Sequence, residues 1–177
     1  MTPADMMPVT FAICSKAPVV PVITITDLTR AVPLAQALVA GGLSALEVTL
    51  RTPVALDAIA AMADVPGAIP GVGTLRTPDD VENAKAAGAQ FGVSPGATDT
   101  LLTAAEQADL PLLPGAATAS EAMILLERGY TLQKFFPAEA SGGAKAIGAF
   151  ASPLPQITFC PTGGIGLHNA QEYLNLS

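Results

Sequence analysis

Of the 177 residues only 13% are charged, four are lysine, two are cysteine and one is histidine. Each shortage excludes something. Cys14 and Cys160 have no metal-ligand spacing and cannot build a disulfide framework, which fits a reducing cytoplasm. No run of about 18 uninterrupted apolar residues occurs, so a membrane span is not expected. The first residues lack the basic-then-apolar pattern of a secretory leader. No Gly-x-Gly-x-x-Gly follows the first apolar run, which weighs against a dinucleotide-binding fold. A net charge of −7 argues against nucleic acid or an anionic membrane as partner.

Apolar residues are what the sequence has in excess: half of it is hydrophobic and the mean hydropathy is +0.48. That composition predicts strands buried on both faces, an oligomer interface, or both. The length fits one domain, residues 1–177, in which residues 1–16 form a lead-in helix before the first strand.

Short apolar runs alternate with Ala-rich amphipathic segments. The runs are Val19–Ile25, Ala45–Leu50, Ala68–Val72, Gln90–Val93, Leu110–Leu113, Thr131–Phe136 and Gln156–Cys160. Helical stretches follow each of them, at Leu34–Ala40, Val54–Ala63, Asp79–Ala87, Asp99–Gln107, Ser120–Arg128, Gly143–Phe150 and Leu167–Leu174. Thr77, Thr98 and Thr118 stand where helix N-caps belong. The runs lack polar alternation, as parallel strands covered on both sides do. Units repeating every roughly 20–25 residues predict an α/β fold of the (β/α)8 TIM-barrel type. Seven β/α units are present; the eighth strand and last helix are missing, and the sequence is expected to be a piece of a longer chain.

Polar residues gather where the strands end, the side on which such barrels do chemistry. Glu47, Thr49 and Arg51 alternate along the second strand, Thr74 closes Gly71-Val72-Gly73, Pro95 follows the fourth strand, and Lys134 lies within the sixth. Leu132, Lys134 and Phe136 share one strand face, as do Glu47, Thr49 and Arg51. If both faces point inward, amine, carboxylate and guanidinium meet in one mouth. Removing water from a lysine favours its free amine, the form that condenses with a carbonyl. The bland alternative is a buried Lys134–Glu47 ion pair with no chemistry. Glu47 suits proton transfer and Arg51 suits a carboxylate. "CPTGGIG", Cys160–Gly166, puts glycines after a strand and before a helix, where backbone N–H groups can cradle phosphate; a tight turn is the competing reading. His168 and the other lysines read as surface residues, with Lys85 paired to Glu82 on its helix.

The blocks "EVTLRT", "GVGTL", "LQKFFPAEASGG" and "CPTGGI", in this order, resemble the 2-keto-3-deoxy-6-phosphogluconate aldolase / 4-hydroxy-2-oxoglutarate aldolase family, over about Ala17–Leu174. The resemblance implies a class I aldolase on a (β/α)8 barrel, a homotrimer with no cofactor and no metal, acting on a small phosphorylated keto acid. It also implies the roles: Lys134 forms the Schiff base, Glu47 moves protons, and Arg51 and Thr74 hold the pyruvyl carboxylate. By the same resemblance Pro95 and Phe136 line the pyruvyl pocket, while Thr162, Gly163 and Gly164 meet the substrate and its phosphate. The family continues through an eighth strand, a Gly-Gly-Ser phosphate loop and a final helix that this sequence does not contain. A non-catalytic phosphosugar-binding barrel, or an isomerase using Glu47 without an imine, are the other readings.

Overall fold

The computed structural model of the protein describes residues 2–176. Helix α1 (Pro3–Cys14) opens the chain, followed by β1 (Val22–Ile23), α2 (Ala31–Ala40), β2 (Ala45–Thr49), α3 (Ala55–Ala63) and β3 (Ile69–Gly73). Then come α4 (Pro78–Ala86), β4 (Phe91–Val93), α5 (Asp99–Gln107), β5 (Leu112–Leu113), β6 (Gly115–Ala116) and α6 (Ala119–Glu127). The last elements are β7 (Leu132–Phe135), α7 (Gly143–Ala151), β8 (Thr158–Pro161) and α8 (Ala170–Leu174).

Every strand pairs in parallel with its neighbour in chain order, β1-β2-β3-β4-β5 and β6-β7-β8. Parallel pairing needs a crossover between strands, and the Ala-rich helices supply it. β5 and β6 are two halves of one run split at Pro114, which has no N–H for the ladder. On one side Leu113 accepts from the Ser94 N–H at 3.2 Å; on the other Pro114 accepts from the Lys134 N–H at 2.8 Å. The run thus passes the ladder from β4 to β7, giving the seven strand positions that the sequence predicts. All five residues of β2 are buried, as a strand covered on both faces must be.

The caps form as expected. The Thr77, Thr98 and Thr118 side chains accept from the N–H groups of Asp80, Leu101 and Glu121. The lead-in segment is a regular helix because Thr2 and Asp5 make a reciprocal capping box and Pro3 sits in the first turn. It buries Met6, Met7, Thr10 and Ile13 on one stripe and packs against β5 and β7. Several expected spans shrink, the first strand and the last helix among them. The first strand runs only over Val22–Ile23, since β2 alone pairs with it among the described residues. The last helix starts at Ala170 rather than Leu167, because the Asn169 side chain accepts from the Gly166 N–H at 2.8 Å and closes a turn first.

The core runs without interruption from Met7 to Ile157, and a smaller cluster of Phe135, Ala138, Ile147 and Tyr173 lies under α7 and α8. Inside the sheet, the register sets Gly71 beside Phe91. A Cβ at Gly71 would lie 2.3 Å from the Phe91 ring, so this face of β3 must stay bare. Gly71→Ala is therefore expected to destabilise the fold by about 1–3 kcal/mol, the usual cost of overpacking. Adding Phe91→Leu should recover part of that loss; urea denaturation of both variants checks it.

Candidate active site

Glu47 on β2 and Lys134 on β7 are separated by the whole width of the intervening sheet. Yet Lys134 Nζ lies 3.6 Å from Glu47 Oε1. The sheet has to curl for these strands to face each other, which fits the inward orientation expected for both residues. The two side chains are only 4–5% exposed as residues, Glu47 at 4% and Lys134 at 5%. Their separation is an ion-pair distance, too long for a good hydrogen bond. Lys134 Nζ also lies 5.0 Å from the centroid of the Phe136 ring, over its electron-rich face.

Neighbouring strands make room for this pair. Gly73 has no side chain where one would stand 2.4 Å from Glu47 Oε1. Gly115, the register partner of Lys134 on β6, would bring a Cβ to 2.4 Å from the Pro95 carbonyl group. The Pro95 backbone thus packs over Gly115 because that position is bare. On the other side of Lys134 the register partner is Cys160. Burial and the nearby Glu47 charge push its thiol up to about 11, so it stays protonated at neutral pH.

Burial also raises the Glu47 carboxyl above its ordinary 4.5, and the positive charges of Lys134 and Arg51 hold the rise back. Arg51 therefore feels and is felt by the pair, although its side chain is exposed at the mouth. Its guanidinium makes no hydrogen bond or ion pair among the described residues, which leaves its donor fork open to a ligand. Thr49 turns out to be structural: its hydroxyl donates to the Ile23 carbonyl at 3.0 Å and lies 3.0 Å from the Thr24 hydroxyl. Thr74 is half-buried directly after Gly73 and holds φ at +66°, a left-handed backbone that a β-branched residue avoids. That strain is invisible in the sequence, and such outliers gather at functional sites.

The glycine segment joins the same mouth. A Cβ at Gly163 would meet the Phe136 ring at 3.4 Å, so the loop borders the ring that lies under Lys134 Nζ. Gly163 and Gly164 have φ of +104° and +78°. The Thr162 carbonyl accepts from the Ala138 N–H at 2.8 Å and the Gly163 carbonyl from the Glu139 N–H at 3.1 Å. The Gly164 carbonyl accepts from Asn169 Nδ2 at 3.1 Å. The N–H groups of Gly163 and Gly164 have no protein acceptor among the described residues. Carbonyls tied back and N–H groups left open make a loop suited to an anion.

Other sequence expectations divide. His168 and Lys145 are exposed. Lys85 does not pair with Glu82; its Nζ donates to the Asp109 carbonyl at 2.8 Å and so ties α4 to the end of α5. Glu139, Asn169 and Tyr173, which hold the glycine loop, carry no signal in the sequence because their partners are remote or backbone. A hollow of about 570 Å³ between α4 and α5, lined by Glu82, Asp99 and Thr103 among others, contains none of the mouth residues. Among the described residues no three His, Cys, Asp or Glu side chains are arranged to hold a metal ion.

A parallel β/α barrel with an amine and a carboxyl buried together at its mouth belongs to the class of lysine-bearing barrel proteins. The comparisons narrow that class. The chain matches the family described as KDPG and KHG aldolase over residues 11–177, and it belongs to that family. It is 52% identical over 166 residues to the KHG/KDPG aldolase of Escherichia coli K12, covering 93% of this chain and 78% of that one. The crystal structure of the 2-keto-3-deoxy-6-phosphogluconate aldolase of Zymomonas mobilis ZM4 with 3-phosphoglycerate superposes with a TM-score of 0.93 at 47% identity, covering 96% of this chain and 81% of that one. The KDPG aldolase of Legionella pneumophila, with pyruvate captured as a covalent carbinolamine, gives a TM-score of 0.89 at 45% identity over 99% of this chain and 82% of that one.

If Thr74 stores backbone strain, relieving it should stabilise the fold. Thr74→Gly is expected to raise unfolding stability by about 1 kcal/mol, the strain released less the added flexibility of glycine. Chemical denaturation measures this, and unchanged or lower stability would show that the conformation is not strained.

Proposed function

We propose that the protein is a class I aldolase that cleaves 2-keto-3-deoxy-6-phosphogluconate to pyruvate and glyceraldehyde 3-phosphate, and 4-hydroxy-2-oxoglutarate to pyruvate and glyoxylate. The observation that carries this reading is the buried Lys134 Nζ 3.6 Å from Glu47 Oε1. A dry amine beside a carboxyl is what imine chemistry needs: a nucleophile, and a group to move protons around it. The relatives' names and the carbinolamine captured in the Legionella enzyme support the same assignment.

Lys134 Nζ attacks the C2 ketone, and loss of water gives the imine. Arg51 and Thr74 hold the C1 carboxylate, and Pro95 and Phe136 wall the pyruvyl end. Glu47 takes the C4-hydroxyl proton as the C3–C4 bond breaks; the bonding electrons pass into the imine, which becomes an enamine. Glu47 then returns the proton to C3, and water releases pyruvate from Lys134. Gly163 and Gly164 receive the phosphate end with their open backbone N–H groups, beside Thr162, whose own N–H donates to the Phe135 carbonyl at 2.9 Å; backbone donors let an acidic protein bind an anion. No metal or cofactor enters these steps. Met123 and Ile124 stand exposed on α6 at 48% and 58%, apolar surface that a homotrimer would cover.

Borohydride added with pyruvate is expected to attach a stable three-carbon adduct to Lys134, located by peptide mass mapping, and Lys134→Met should abolish both adduct and turnover. An unmodified Lys134 in active protein would sink the proposal. Glu47→Gln should lower kcat about 10²–10⁴-fold. Glu47 must be unprotonated to act as base, so activity falls as pH drops through its raised pKa. The acid limb of kcat/KM should therefore lie above pH 4.5 and disappear in Glu47→Gln.

A further inference from the structure

Glu139 and Tyr173 have no part in the steps above, yet they meet beside the glycine loop. Glu139 follows β7 and Tyr173 lies on α8; the Tyr173 hydroxyl donates to Glu139 Oε1. Tyr173 is 8% exposed and packs in the cluster with Phe135, Ala138 and Ile147. The Glu139 stem lies flat against the loop: a Cβ at Gly164 would stand 2.7 Å from both its Cβ and its Cγ. Its backbone N–H holds the Gly163 carbonyl at 3.1 Å. At Gly143 a Cβ would come 3.2 Å from Glu139 Oε1 and 3.5 Å from the Tyr173 hydroxyl, so α7 also begins against this pair. From the far side Asn169 grips the loop through the Gly164 carbonyl and the Gly166 N–H.

We infer that the Glu139–Tyr173 hydrogen bond is a latch that positions the Gly163–Gly164 backbone for the phosphate of the substrate, and so sets the preference for phosphorylated over unphosphorylated keto acids. A carboxylate would repel a phosphate dianion, so Glu139 acts through the loop and not on the ligand. Fixing one oxygen by the tyrosine hydroxyl keeps the side chain pressed on Gly164, where its bulk defines the loop's path. Two glycines with left-handed backbones have many alternative conformations, and without the latch the open N–H groups lose their common aim. Lys134 and Glu47 lie on strands held by the ladder and do not depend on it.

The inference rests on the aldolase reading, and the test separates the two. Tyr173→Phe and Glu139→Ala remove the hydrogen bond; Glu139→Gln removes the charge but keeps an acceptor. Tyr173→Phe and Glu139→Ala are expected to raise KM for 2-keto-3-deoxy-6-phosphogluconate about tenfold with kcat within about twofold, while Glu139→Gln stays within about threefold of wild type. Kinetics with 4-hydroxy-2-oxoglutarate, which has no phosphate, should not move. Titration with inorganic phosphate, followed by NMR, should show the same ranking of dissociation constants and needs no turnover. Equal losses on both substrates, or a Glu139→Gln as damaged as Glu139→Ala, would overturn the latch. So would a wild-type protein that does not bind phosphate. Absence of wild-type turnover on either substrate, with phosphate binding ranked as expected, would instead overturn the aldolase reading and leave the latch standing.

Discussion

An amine and a carboxyl buried side by side at one end of a barrel make the constraint on which the rest of this structure turns. Each group alone would be costly to bury; together they offset part of that cost, though an apolar pair would pack at least as well. The fold accepts the arrangement and then shapes itself around it. Phe136 presents its ring face to the Lys134 ammonium, Arg51 adds a second positive charge near Glu47, and Cys160 stays a neutral neighbour. The result is a dry, polar spot in an otherwise apolar interior.

Space for that spot comes from three bare backbone positions on the inward face. Gly71 receives the Phe91 ring, Gly73 receives the Glu47 carboxyl, and Gly115 receives the Pro95 backbone. Large groups of one strand thus fill the absence of a side chain on the next, as close packing in a barrel interior demands. The same complementarity places the proposed site: the Glu47 carboxyl that faces Lys134 lies over Gly73, and the Pro95 backbone lies over Gly115, the register partner of Lys134. Packing and chemistry share these residues, so neither can change without the other.

The mouth is built differently from the interior. The Lys134–Glu47 pair rides on strands, whose hydrogen-bonded ladder leaves little freedom, whereas the proposed phosphate end is a loop with left-handed glycines. Such a loop needs external holds, and it has them on both sides, at Glu139 with Tyr173 and at Asn169. Thr74, bent into a left-handed conformation directly after Gly73, is a second departure from backbone comfort. Rigid strands under the proposed reacting pair and a braced loop at the proposed phosphate end fit the division of labour that the aldolase reading requires.

The alternation of strands and helices is legible in the sequence, because apolar runs without polar breaks and threonine caps are local signals that need no partner. The sequence also singles out Lys134, Glu47 and Arg51, since charged residues inside apolar strand runs have few structural excuses. Contacts between residues far apart in the chain come only from the folded arrangement: the 3.6 Å approach of the Lys134 amine to the Glu47 carboxyl, the partner of each glycine, and the tie from α8 back to Glu139. The Thr49 hydroxyl is claimed by Ile23 on β1, and the Lys85 amine by the Asp109 carbonyl just past α5 rather than by Glu82 on its own helix, contacts that no local pattern announces. Period and propensity are written within a few residues; register and curl, which set these distances, arise only when the sheet closes its strands around one core.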